Sequence, residues 1–433
     1  MTFKSVALLG IVIANGGVSA AVIATNPPAL PLTLERVATL PADKQSAWRD
    51  YLKNSERQLR ADQEFFQKEL RHDHITQPTT PPEAHGVRGI PLDKPAEWYS
   101  QTEALRIADI VISFQTPAGG WSKNLDMTKH PRAPGERYST DNTSRFPVSS
   151  DNDAPRDRSW NYVGTFDNDA TVTQLRFLAK VISAPGAKND KAHRNAFFRG
   201  LEYVFAAQYP NGGWPQVWPL QGGYHDAITF NDNAMVQVLE LLRDVAAGGN
   251  EFGFVPTKVR ARAEEGMKRG IQCILTTQIV VNGRRTVWCQ QHDALTLEPC
   301  SARNYEMPSE SSAESAQIME FLMSIPKPSW DVVGAIHAAA AWFEETKLND
   351  VAYRYAGEDG RLLVKAPGNG PLWARYYEIS TNRPIFGDRD KTIHDDVNEI
   401  SKERRNGYAW YRDSPGKALE QYSRWRKDFP ASR

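Results

Sequence analysis

One seven-residue pattern recurs along this chain and narrows the folds open to it. Gln115-Thr-Pro-Ala-Gly119-Gly120-Trp121 reappears as Gln208-Tyr-Pro-Asn-Gly212-Gly213-Trp214, and a degenerate third copy runs from Gln278 through Gly283 to Trp288. Each copy follows an apolar stripe with helical spacing: Ile107, Ile110, Val111 and Phe114; then Phe197, Leu201, Val204 and Phe205; then Met267, Ile271, Ile274 and Leu275. The glycines let the backbone turn sharply as each helix ends, and the Trp is placed to fold back over that end.

A second pattern alternates with the first. Thr165-Phe166-Asp167-Asn168-Asp169-Ala170 recurs as Thr229-Phe230-Asn231-Asp232-Asn233-Ala234. Helical runs follow both, through Val172, Leu175 and Leu178 and through Val236, Leu239 and Leu242. Ser311-Ser312-Ala313-Glu314 opens a similar run at Ile318 and Leu322. Asp and Asn just ahead of a helix commonly cap the free N–H groups of its first turn, so capping is the plain reading of these acidic turns. Helix, glycine turn, loop, acidic turn and helix thus repeat about three times, and each pair needs a neighbour to bury its apolar face. The predicted fold is mainly α: a partial (α/α) toroid, or incomplete barrel, of repeated helix pairs with long loops at one rim.

The flanks read differently. Residues 33–73 carry two helical patterns, Leu34, Val37 and Leu40, then Trp48, Leu52 and Leu59, which predict a helical collar rather than an independent domain. The stretch from His130 to Trp160 is polar and lacks periodicity, as long loops that are functional or disordered do. The first twenty residues have the form of an export signal: Lys4, an apolar run from Val6 to Ala14, then Val18-Ser19-Ala20 as a cleavage site. A secreted or periplasmic bacterial protein is expected, with no membrane segment after signal removal and no partner subunit. Export permits a disulfide, and Cys289 and Cys300 would close a short loop, whereas Cys273 falls in a helical pattern as a buried thiol.

Charge excludes one class of partner. Lys and Arg number 52, and so do Asp and Glu, so no global field draws the chain to nucleic acid. There is no Gly-x-Ser-x-Gly elbow, Walker loop, His-Glu-x-x-His or Cys-x-x-Cys, and the nine histidines are scattered. What remains is oxygen chemistry: Asp167, Asn168, Asp169, Asn231 and Asp232, with Arg303, Arg375, Arg383 and Arg389 in later loops. Hard oxygen donors favour calcium or magnesium, and arginines grip carboxylates with paired hydrogen bonds. Taken singly, each of these arginines would by default be a surface ion-pair residue.

At this point the motifs meet a known pattern. Gly119-Gly-Trp-Ser-Lys-Asn124, Thr165-Phe-Asp-Asn-Asp-Ala-Thr171, Gly212-Gly-Trp-Pro-Gln216, Ala302-Arg-Asn-Tyr-Glu-Met-Pro-Ser309 and Ala374-Arg-Tyr-Tyr-Glu378 resemble, in order, segments of the family-ten polysaccharide lyases. The likeness runs from about residue 45 to 415, and Asn304 departs from it where a small apolar residue is usual. It implies a calcium-assisted pectate lyase built on a partial toroid, with a signal at 1–20, a helical extension at 21–85, a catalytic domain at 86–420 and a tail at 421–433. It implies that Arg303 is the base that takes the C5 proton. Asp167 and Asn168 would bind substrate, with Asp167 also at the metal. Asp232 would be the main calcium ligand. Arg375, Arg389 and, with a weaker match, Lys123 would hold uronate carboxylates. Asp169 and Asn233 are left as caps.

The implied reaction is β-elimination on polygalacturonate. Loss of the C5 proton pushes charge onto the adjoining carboxylate, and departure of the O4 linkage leaves a 4,5-unsaturated sugar. Arginine ordinarily keeps its proton, so neighbouring cations and calcium are expected to lower the pKa of Arg303. Two rival functions compete with this reading. One is an inverting glycoside hydrolase with Asp167 and Asp232 as acid and base, since toroids host those as well. The other is a polysaccharide-binding protein without activity.

Overall fold

The structure, a computed structural model, describes residues 21–140, 163–187 and 190–431. The expected export signal and most of the polar stretch at 130–160 lie outside these. Eleven α-helices run through the described residues: α1 (Leu34–Val37), α2 (Ala42–His72), α3 (Thr102–Ser113), α4 (Val172–Ser183), α5 (Lys191–Ala207), α6 (Ala234–Ala247), α7 (Thr257–Thr277), α8 (Ser312–Met323), α9 (Trp330–Thr346), α10 (Lys402–Gly407) and α11 (Ser414–Trp425). None is long and apolar enough to cross a membrane.

The helices form two rings of an open arc. α4, α6 and α8 pack side by side as the inner ring, while α3, α5, α7 and α9 cover them from outside. Burial follows position. Eight of the twelve residues of α4 are buried, including Val172, Leu175 and Leu178, but only six of the twenty-one in α7. The stripe expected there is only partly right: Ile274 is buried, yet Met267, Ile271 and Leu275 are half-buried. α7 instead sets Ala263, Gly266, Gly270 and Cys273 against the core, because small residues let it approach Leu239, Leu242 and Trp214.

The repeated Trp ties each helix to the turn that follows it. The indole N–H of Trp121 donates to the Val111 carbonyl at 2.7 Å, Trp214 to Val204 at 2.9 Å and Trp288 to Ile274 at 2.7 Å. A fourth copy was not legible in the sequence: Trp373 donates to Phe343 in α9 at 2.8 Å, across the inserted hairpin Val351–Tyr355 and Arg361–Lys365. The repeated Gln fastens neighbouring pairs. Gln115, Gln208 and Gln278 donate to carbonyls of Ala196, Gly266 and Ala335 at 2.8, 2.9 and 3.0 Å, each one outer helix further along. Gly119 (φ 106°) and Gly212 (φ 93°) sit against the Arg199 and Arg269 carbonyl oxygens, where a β-carbon would collide with backbone.

Short antiparallel ladders stitch the rim. Gly164–Thr165 pairs with Val217–Trp218, Ile228–Thr229 with Gln291–His292, Glu310–Ser311 with Tyr376–Tyr377, and Trp373–Ala374 with Tyr411–Arg412. Each acidic turn is thereby fixed to a loop from later in the chain.

The collar is one long helix rather than two. α1 is a single turn, with Leu34 half exposed, whereas α2 lays Trp48, Tyr51, Ser55, Asp62, Phe66 and Leu70 along one face at steps of three, four or seven residues. The Tyr51 hydroxyl donates to the Ala207 carbonyl at 2.9 Å, and the Trp48 and Tyr209 rings lie 5.1 Å apart. At the other end, residue 421 falls inside α11, whose Tyr422 and Trp425 pack on His337 of α9. Cys273 is buried, as expected. Cys289 and Cys300 are also free thiols, without the disulfide that export would permit; the Cys289 sulfur faces the Cys300 carbonyl oxygen at 3.9 Å.

Candidate functional site

The two acidic turns do not cap their helices. No side-chain oxygen from Asp167, Asn168, Asp169, Asn231, Asp232 or Asn233 reaches a first-turn N–H of α4 or α6, so capping, including that expected of Asp169 and Asn233, is overturned. The backbone explains why. Asn168 (φ 50°) and Asp169 (φ 64°) are both left-handed, and so are Asp232 (φ 47°) and Asn233 (φ 63°). Two consecutive left-handed residues turn the side chains away from the helix axis. Asn and Asp tolerate this conformation better than other non-glycine residues, and strain of this kind gathers at working sites.

These turns touch each other and open on a cleft of about 640 Å³. Asn168, Asp169, Asp232, Asn233, Glu314 and Arg375 line it, with Asn124 and His85 on one bank and Arg412 and Lys417 on another. Asn124 belongs to the first Gly-Gly-Trp segment and His85 to the loop bonded to it (Ala84 N–H to the Asn124 carbonyl, 2.8 Å), so the expected boundary at 85 passes through the site.

The two central carboxylates differ. Asp167 is buried and accepts from the Lys123 ammonium through Oδ2, while its buried Oδ1 has no hydrogen-bond partner. Burial works to raise its pKa, but Lys123 and then Arg303 outweigh it and hold the carboxyl below the usual range. Asp232 stands open to the cleft, yet the walls around it withdraw water. That desolvation, with Asp167 and Glu314 nearby, pushes its pKa up to about 6 despite Arg375 and Arg303.

The arginines are set by carboxylates and rings. Arg375 is buried; it donates to Glu314 at 2.5 Å and Asn231 at 2.9 Å, with its guanidinium 4.7 Å from the Tyr408 ring centre. Arg303 grips Glu306 through Nε (2.8 Å) and a terminal nitrogen (2.5 Å). The pair shifts in opposite directions. Burial of Glu306 is overcome by Arg303, which brings it to about 2, and burial of Arg303 is overcome by Glu306, which drives it well above its ordinary value. In the metal-free protein the pairing with Glu306 thus outweighs the neighbouring cations that were expected to lower the pKa of Arg303. The sequence signal was present, because Glu306 lies three residues on.

Arg303 and Arg389 lie outside the cleft walls. Both guanidiniums stand 5.0 Å from the Tyr305 ring centre, and that of Arg404, which the sequence did not single out, stands at 4.4 Å. Arg303 nevertheless bears electrostatically on both Asp167 and Asp232. Asn304, the departure from the family pattern, is buried and donates to the Arg389 carbonyl at 2.7 Å, so it joins two of the arginine segments.

Among the described residues no three His, Cys, Asp or Glu side chains form a metal cluster. Asp232 and the amides of Asn168 and Asn233 on the cleft, with the Oδ1 of Asp167 buried behind them without a hydrogen-bond partner, make a set of hard oxygens that fits calcium when water and substrate complete the shell.

Comparison with known proteins identifies the scaffold. The family model for pectic acid lyase matches residues 115–419. The chain belongs to the pectic acid lyase family. A solved structure of the family 10 polysaccharide lyase from Cellvibrio cellulosa is 31% identical, with a TM-score of 0.64 over 79% of this chain and 99% of that one. A mutant of that family 10 enzyme, in complex with trigalacturonic acid, is 32% identical, with a TM-score of 0.63 over 78% and 99%. A search of curated proteins gives no match. The expected α/α toroid-like fold and the class of enzyme, a pectate lyase, are both upheld. A binding protein without activity and a glycoside hydrolase therefore drop away.

Two histidines of this lyase had no assigned role. His292 is structural: one ring nitrogen meets the Leu297 carbonyl at 2.8 Å and the other accepts from the Cys289 N–H at 3.1 Å, which makes it a neutral tautomer. His225 stacks on Tyr224 at 4.1 Å, and its burial, with help from Lys123, lowers its pKa to about 4. Its neighbours Lys123, Asp167 and Arg303 put it at the edge of the charged centre.

Proposed function

We propose that this lyase cleaves α-1,4-linked polygalacturonate by calcium-assisted β-elimination, after export through the signal at 1–20. The observation that carries the reading is that Asp232 and Arg375 line one cleft, Lys123 pairs with Asp167 behind it, and Arg303 lies within electrostatic reach of both acids. Asp232 and Asp167 would hold the metal, with Asn168 beside them. Bound calcium would supply positive charge against the substrate carboxylate as negative charge gathers there.

Arg303 is the proposed base. Its paired grip on Glu306 keeps it protonated in the free protein, so it must give up part of that grip and lose a proton before it can act. The cations around it, Arg389 and Arg404 across Tyr305, favour that loss once substrate is seated. Arg303 then takes the C5 proton, the C5 electrons form the C4–C5 double bond, and the C4–O4 bond breaks, with solvent protonating the departing oxygen. Arg375 and Arg389 hold uronate carboxylates. Lys123 keeps Asp167 ionised. The opposed pKa shifts of Asp167 and Asp232 resemble a hydrolytic acid–base pair, but Lys123 beside Asp167, and desolvation with the Asp167 and Glu314 charges around Asp232, account for them.

The test is Arg303→Ala, assayed by the ultraviolet absorbance of the unsaturated product from polygalacturonate with calcium. Wild-type protein should generate that absorbance and lose it to chelator. The variant should lose at least about a thousandfold in kcat while still binding oligogalacturonate. A near-normal kcat overturns the assignment.

A further inference from the structure

The cleft extends past the metal pair and Arg375 to a region without an assigned role. Its far wall is made by Arg412, Asp413, Ser414 and Lys417, at the end of the strand Tyr411–Arg412 and the start of α11. Register fixes where Arg412 stands. The Arg375 N–H donates to the Trp410 carbonyl, Ala374 pairs with Tyr411, and Trp373 pairs with Arg412. Arg412 is therefore two rungs from Arg375, on the same face of the ladder and about 7 Å along it.

The charge of Arg412 is uncommitted. Among the described residues no hydrogen bond, ion pair or ring engages its side chain, although it stands at a cleft wall. Every other arginine of the site has a carboxylate: Arg303 has Glu306, Arg375 has Glu314, and Arg389 and Arg404 have Glu403. Lys417 beside it is only loosely matched, with Asp413 at 3.8 Å and Glu320 within electrostatic reach. The first turn of α11 has no side-chain cap, and its dipole favours an anion there, although Pro415 carries no N–H and the Gly416 N–H is bonded to the Asp413 carbonyl.

On the pectate lyase reading, we propose that Arg412, assisted by Lys417, is a specificity-determining residue. It binds the carboxylate of a uronate outside the pair that flanks the broken bond, and so extends recognition to longer, unesterified chains. Only substrates long enough to reach α11 engage it. Chemistry at Arg303 does not involve it.

The experiment compares Arg412→Ala and Arg412→Lys with wild-type protein on galacturonate oligomers of increasing length and on polygalacturonate. For Arg412→Ala, the ratio of its KM to that of wild type should climb from near one on the shortest substrate to about fivefold on the polymer. Its kcat should stay within about twofold, and Arg412→Lys should recover most of the loss. A ratio that does not change with length, at one or at any larger value, overturns the proposal. Absence of unsaturated product from wild-type protein would instead defeat the pectate lyase reading. Calorimetric binding of the same oligomers would then still decide whether the Arg412 contribution grows with length.

Discussion

The two acidic turns have one backbone and opposite chemistry. Both follow a Thr-Phe pair, both hold two successive left-handed residues, and both lead into an inner helix. The first reads Asp-Asn-Asp and the second Asn-Asp-Asn. At the first position, Asp167 meets Lys123 from the preceding Gly-Gly-Trp segment, whereas Asn231 accepts from Arg375. At the tip, the first turn presents the neutral Asn168 and the second presents the charged Asp232. A repeated scaffold has thus been given complementary charges, so that one carboxylate is locked ionised and its neighbour responds to its surroundings.

The comparison breaks most severely if the second tip loses its charge. Asp232→Asn should cut kcat/KM by about a hundredfold or more at limiting calcium, with partial recovery at high calcium. Equal losses at every calcium concentration would mean that Asp232 does not serve the metal.

Proton competition sharpens it next. A raised pKa means that Asp232 is protonated below about pH 6 and free above it. Calcium affinity, measured calorimetrically with oligogalacturonate present, should fall about tenfold for each pH unit below that point and change little above it. Asp167→Asn removes a neighbouring negative charge, so the break should move to lower pH. If it stays put, the two turns are not coupled.

The smallest effect tests the shared backbone. Asn168→Ala should cost about 1 kcal/mol in a denaturant titration because alanine resists the left-handed region, whereas Asn168→Gly should cost little. Equal costs would show that the amide, rather than the conformation, matters.

The contrast also explains what the sequence could reveal. Helix stripes and the Gln and Trp positions were legible because the pattern repeats within a short stretch, seven residues from Gln to Trp in the first two copies, even though each Gln reaches the next outer helix. The Trp373 copy was hidden by the hairpin inserted before it. The acidic turns were misread as caps because Asp and Asn suit a cap and a left-handed bend equally well. Lys123 and Arg375 converge on these turns through ladders far apart in the chain, and only the resemblance to a known family pointed there. Arg404 gave no such pointer: an arginine in Lys402-Glu-Arg-Arg405 looks like any charged surface.

The four indole ties differ in what they span: 10, 10, 14 and 30 residues separate donor and acceptor. The clasp tolerates whatever is spliced between helix and tryptophan, as a buckle accepts straps of different length. In this chain the same tie therefore survives an inserted hairpin at the fourth joint. The exposed bend at Gly283 is the natural place to graft a tag, an anchor or a second binding unit.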